Sequence, residues 1–195
     1  MSKDLYDVIN FNVLSHTFIY QCAPVLAGLK VSNLLIVKKS YAIQAQNMIN
    51  ECGLAAFVLY ISEQKITFLV YNSEKLSAYI NSSECAEFMK LNGHSDLSIK
   101  AVLYEISIRY RLHMRMLGNF PHELGIILGY PIEDVVGYIE HEGNDYLYNG
   151  YWKVYSNVEE TKDRFKKFDE ATEYMLRMML NGEDLSTLAK KVKVA

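Results

Sequence analysis

The chain is poor in the residues that fix a function from sequence alone. Its 195 residues hold three cysteines, three prolines and one tryptophan. Cys22, Cys52 and Cys85 are odd in number and widely spaced, so they form no zinc-ligand pattern and fit a reducing compartment. Charge of one sign is also missing. The 20 Lys and Arg stand against 23 Asp and Glu, a formal charge of −3, where a dedicated nucleic-acid binder shows a basic surplus. No apolar run approaches the ~20 residues that cross a bilayer. The opening MSKDLYDVINFNVLSH sets Asp4, Asp7 and Asn10 among its apolar residues and offers no small-residue cleavage site, unlike a signal peptide. The phosphate loops GxGxxG and GxxxxGK are absent, as is the serine elbow GxSxG. The expectation is a cytoplasmic protein with no membrane association.

Half of the residues are hydrophobic and 22% are charged, enough apolar surface for a core and too little polarity for disorder. The length suits a single domain, 1–195, in which residues 158–195 form a helical C-terminal appendix. Periodicity predicts a helix over 4–21 stopped near Pro24, a short strand over 34–38 and a helix over 41–51 with Gly53 past its end. Two strands, 55–61 and 65–71, flank the polar turn Ser62-Glu63-Gln64 and read as a central hairpin covered on both faces. Residues 73–92 read as one or two helices closed by Gly93. Asp96 is placed to cap a helix whose apolar stripe runs from Ile99 through Val102, Ile106 and Met114 to Leu117. Residues 150–156 alternate as a strand, and a last long helix carries Phe165, Phe168, Thr172, Met175 and Met179. The fold class is α+β: a small central sheet of about four strands surrounded by helices, with a helix-turn-helix-like corner and C-terminal helices.

That corner lies in the richest stretch, FPHELGIILGYPIEDVVGYIEHEGNDYLYNGYWKVY, residues 120–155. It holds five of the ten glycines, two of the three prolines and the only tryptophan. Pro121 and Pro131 suit helix starts, and Gly129 suits a helix end between them. The apolar and small residues from Leu124 to Tyr138 fall where two short crossing helices want them. DNA reading does not follow, because the second helix offers Glu133, Asp134 and Glu140 where base edges and phosphates call for Arg, Lys, Asn or Gln. A zincin pattern fails as well: the fourth residue after His122 is Ile126. No metal set and no cofactor is assigned.

The residues that could carry chemistry lie in two irregular segments. Cys22, just before Pro24, is the candidate thiol, with His122 as acid or base and Glu123 beside it at a helix start. Lys30, Tyr130, Asp134, Trp152 and Lys153 are candidate ligand contacts, and the aromatic segment Tyr146, Tyr148, Tyr151, Trp152 and Tyr155 offers a stacking wall for a planar ligand. Arg109, Arg111 and Arg115 form the one basic cluster, available to an anion or to the acidic stretch Glu133–Glu142. These residues favour a protein that binds an unknown small molecule or protein partner, with a thiol-dependent site. A non-enzymatic interaction protein that docks through the Met175, Met178 and Met179 face is the alternative. A DNA-binding regulator ranks last.

The segments PHELGIILGYPIEDVVGYIEHEG, GYWKVYS and QCAPVLAGLKVSNLL together resemble an uncharacterised family of anaerobic, clostridia-like bacteria, domain of unknown function 3793. The resemblance spans residues 5–168 and includes Cys22, Pro24, Lys30, Pro121, His122, Glu123, Gly129, Tyr130, Pro131, Asp134, Gly137, Gly150, Trp152 and Lys153. It implies a soluble cytoplasmic protein and brings no activity with it.

Overall fold

Asn10 divides the apolar N-terminal segment. In the computed structural model, which describes residues 3–192, Asn10 Oδ1 accepts the Asn12 N–H at 3.0 Å and the Asn10 N–H donates to Nδ1 of His16 at 3.1 Å. Such local side-chain bonds compete with helical backbone. The single helix expected over 4–21 is therefore two, α1 (Lys3–Asp7) and α2 (Leu14–Leu26). α2 also runs through Pro24 instead of stopping before it, and the Ala27 N–H still reaches the Ala23 carbonyl at 2.8 Å.

The chain divides into two compact units, Met1–Asn72 with Lys167–Ala195, and Ser73–Lys166. In the first unit β1 (Ser32–Lys38), a 3-10 turn (Lys39–Tyr41), α3 (Ala42–Glu51), β2 (Ala55–Ile61) and β3 (Lys65–Tyr71) follow α2. The three strands form an antiparallel sheet in the order β1-β3-β2. β3 is central and buried from Ile66 to Val70. β2 is an edge strand with Val58 and Ile61 exposed, so only one strand of the hairpin is covered on both faces. Gly53, at φ +68°, closes α3 by the expected left-handed turn, with the Leu54 N–H donating to the Ile49 carbonyl at 3.1 Å.

Phe18, Ile19 and Leu26 of α2 pack with Leu35 of β1, Ile49 of α3 and Phe68 of β3. Met175 and Leu176 of α9 (Val158–Leu180) and Leu185 of α10 (Leu185–Val192) complete the same core. Met179 packs against it, so the methionine face expected to dock a partner is largely spent inside this unit.

The second unit is helical: α4 (Ser73–Ile80), α5 (Ser83–Leu91), α6 (Ile99–Met114), α7 (Glu123–Ile127) and α8 (Ile132–Glu140), then a two-residue ribbon of β4 (Tyr148–Asn149) with β5 (Lys153–Val154). The strand predicted over 150–156 shrinks to β5. Ser98, not Asp96, caps α6, its Oγ accepting the Ala101 N–H, while Asp96 accepts the N–H of Ser98 at 2.8 Å. Met114 and Leu117 are exposed because α6 ends before its apolar stripe does. Gly129, at φ +73°, forms the corner between α7 and α8. Among the described residues no helix is long and apolar enough to cross a membrane.

Candidate functional site

The α7–α8 corner is held by aromatic stacking and one buried acid. Asp134, in the first turn of α8, turns inward rather than toward solvent and is 2% exposed. Its Oδ2 accepts the Trp152 indole N–H at 2.7 Å, and its Oδ1 accepts the backbone N–H groups of Tyr155 and Ser156 at 2.8 and 3.1 Å. Trp152 then stacks on Tyr130, ring centres 4.8 Å apart, and meets Phe165 edge-on at 4.5 Å. Lys153 donates to the Gly143 carbonyl and lies over the Tyr146 ring at 4.9 Å. Asp134 and Trp152 are thus a buried clasp; of the aromatic segment expected as a wall only Trp152 is buried, while Tyr146, Tyr148 and Tyr151 stay exposed, the last two beside Phe165.

Lys30 and Cys22 belong to the first unit. The Lys30 ammonium donates to Asn33 Oδ1 at 2.6 Å and lies 6.0 Å from the centre of the Phe168 ring. Cys22 is fully buried in the core of α2, where a turn open to solvent was expected. Burial pushes its thiol well up from the ordinary range, and the opposing pull of the nearby Lys30 charge does not restore it. Such a thiol stays protonated and is a poor nucleophile. Cys52 and Cys85 are likewise buried, and neither is in a disulfide.

His122 and Glu123 enter a polar cluster of the second unit. Gly93, at φ +89°, ends α5 and turns His94 inward, where its side chain is fully buried. His94 Nδ1 lies 2.6 Å from Glu105 Oε2 and Nε2 lies 3.5 Å from Glu123 Oε1, close polar contacts that fall outside hydrogen-bond geometry. Glu123, 3% exposed, also accepts a short hydrogen bond from the Arg109 guanidinium. Arg109 donates further to the Asn92 carbonyl at 3.3 Å, and its other terminal nitrogen is 3.9 Å from Glu105. Burial by itself raises the Glu123 carboxyl, but the His94 ring, its own backbone N–H and the Arg109 charge outweigh that and hold it below the usual range. The basic cluster is therefore divided: Arg109 serves Glu123, and Arg111 binds the carbonyl and hydroxyl of Ser107. Neither is paired with the acidic stretch after Glu133, the alternative weighed from sequence.

Arg109 and Glu123 line one side of a cleft of about 310 Å³ at the C-terminal end of α6. Leu112, Phe120 and Pro121 give it apolar surface, and Asn92, Asn119 and His122 add neutral polar groups. Phe120 meets His113 and His122 edge-on at 5.3 and 5.6 Å. Burial lowers the His122 pKa from its ordinary value, outweighing the opposite pull of Glu123, and the neighbouring His113 lowers it further. At neutral pH His122 therefore presents one N–H and one lone pair. Among the described residues no group of three His, Cys, Asp or Glu side chains is arranged to hold a metal ion.

Sequence reasoning reached His122, Glu123 and Arg109 but passed over His94, Glu105 and Asn92. The available signal was the Glu105–Arg109 spacing of one helical turn, with His94 directly after a helix-closing glycine. The family model for proteins of unknown function designated DUF3793 matches residues 18–189. No curated protein and no solved structure matches the chain.

Proposed function

The chain belongs to this family of unknown function, and we propose that its second unit binds a small, planar, hydrogen-bonding molecule in the cleft beside Phe120. The observation that carries the reading is the buried constellation behind Arg109. Burying the Glu123 carboxylate beside the His94 ring costs several kcal/mol of desolvation, and here that cost goes to holding one guanidinium at the wall of an open cleft. Buried polar networks that rigidify a few side chains around a concave, mostly apolar surface are typical of small-molecule sites. Because Glu123 neutralises Arg109, the lining favours a neutral planar ligand over a phosphate. Asn92, Asn119 and His122 supply donor and acceptor pairs, and the half-exposed Phe120 ring supplies a stacking face.

His122, neutral and at the wall of the cleft, is the group able to take up a proton from a bound molecule. Cys22 has no part in this reading. Asp134, Trp152, Tyr130 and Lys153 support the site by fixing the α7–α8 corner. A cytoplasmic setting accords with three cysteines of which none is in a disulfide.

The test is an NMR screen of nucleobases, aromatic amides and aromatic carboxylates at millimolar concentration, read on the His122 and Phe120 resonances. The His122 ring is expected to titrate below the ~6.5 of a free histidine, and a binding molecule is expected to move that midpoint. Arg109→Ala and His122→Ala should each weaken binding about tenfold or more. If no planar compound perturbs these resonances, or the variants bind as the parent does, the cleft is not a ligand site.

A further inference from the structure

The two edges of the three-stranded sheet are treated differently. At β1 the side-chain amide of Gln21 accepts the Ile36 N–H at 2.7 Å and donates to the Ile36 carbonyl at 3.3 Å. Gln21 thus occupies the place of a neighbouring strand at Ile36, the middle of that edge. The same bonds fix the polarity of the whole sheet. Ile36 points its backbone groups away from β3, so its partner Thr67 points its own toward β2, as do Leu69 and Tyr71. Across the second pairing Phe57 and Ala55 face β3, which leaves the N–H and carbonyl groups of Ala56 and Val58 pointing outward. No hydrogen bond from another part of the described chain reaches them.

An open edge of this kind is a template for another strand, and proteins ordinarily blunt it with charge or proline. β2 has neither. Between Lys39 and Glu63 the only charged residue is Glu51, in a chain that is 22% charged overall. The uncharged residues 40–50 take in all of α3 but its last residue, Glu51; the helix packs against β2 and shows Ile43 (80% exposed), Gln44 and Asn47 to solvent. Along β2 itself a partner of either charge finds nothing to pair with, whereas a second copy meets no repulsion. The shift of register between Val58 and Tyr60 confines straight pairing to the first half of the strand.

We propose that β2 pairs antiparallel with β2 of a second copy about a two-fold axis through Phe57. Ala56 then exchanges both backbone bonds with Val58 of the other copy, and the two Phe57 rings form a cross-strand aromatic pair. The α3 helices, with their neutral amides, flank the axis. A contact this short lies below the ~800 Å² per partner of a standard interface, so the dimer is weak and reversible.

Sedimentation velocity of the full chain across a hundredfold concentration range is expected to show a monomer–dimer equilibrium. Val58→Lys should shift it toward monomer by tenfold or more with an unchanged circular dichroism spectrum. The register has its own test, because opposed residues at a non-hydrogen-bonded position lie within disulfide reach and the native cysteines are buried. Phe57→Cys, oxidised with diamide, should cross-link as a dimer, whereas Lys90→Cys on exposed α5 should not. A chain monomeric at every concentration, or equal cross-linking at both positions, overturns the proposal.

Discussion

A single carboxylate decides how the second unit closes. Asp134 takes three donors, the Trp152 indole and the N–H groups of Tyr155 and Ser156, all from 18 or more residues along the chain. Hydrogen bonds to a charged group are worth about 1.5–3 kcal/mol each and leave buried donors stranded when removed. Asp134→Ala should therefore cost about 3–5 kcal/mol in urea unfolding, with an unchanged slope. Asp134→Asn, which keeps one acceptor oxygen, should fall between the two; equal stability of Asp134→Ala and the parent would remove the clasp. None of this was legible in sequence. An acid in the first turn of a helix ordinarily faces solvent beside the positive end of the helix dipole, and its partners here are non-local. Cys22 shows the same limit: the Cys-Ala-Pro turn reads as a helix end, and only the fold reveals that α2 continues and buries the thiol.

Element boundaries written in backbone chemistry were legible, and those set by competition between side chain and backbone were not. Gly53, Gly93 and Gly129 all stand at positive φ where a helix was expected to end, because glycine alone adopts that conformation without strain. The hairpin of β2 and β3 was likewise readable to the residue. The split at Asn10 was missed because the apolar pattern continues across it. A different constraint marks Gly137 in the middle of α8, where φ is ordinary. A Cβ there would meet Cβ and Cγ of Tyr155, each at 2.6 Å. Those atoms sit close to the backbone after β5 and cannot swing aside. Gly137→Ala, which raises helix propensity by roughly 1 kcal/mol, should nonetheless lower stability by about 2–3 kcal/mol through overpacking. Melting temperature checks the sign: a more stable Gly137→Ala would mean that α8 and the Tyr155 segment are free to part.

At the scale of the molecule, α9 is the element that both units share. The boundary between units falls at Lys166 and Lys167, inside a helix that runs unbroken from Val158 to Leu180. Phe165 packs on Trp152 in one unit, while Met175 and Leu176 lie in the core of the other. Helix nucleation is costly and propagation cheap, so a helix anchored at both ends passes the loss of one anchor to the other. The sequence pattern showed the apolar stripe of this helix but not that its two halves serve different cores. That division depends on contacts from Lys167 onward with α2 and the sheet. Trp152, the only tryptophan, reports on the second unit alone, whereas far-UV circular dichroism reports on both. In urea the two signals are expected to change together, as one cooperative transition. Lys167→Pro, on the exposed side of α9, breaks helical continuity at a cost of ~3 kcal/mol. It should separate the two curves, whereas Lys167→Ala should leave them superimposed. Separate transitions in the parent chain would show that continuity of α9 does not couple the units, and the helix would then be a tether between two independent folding bodies.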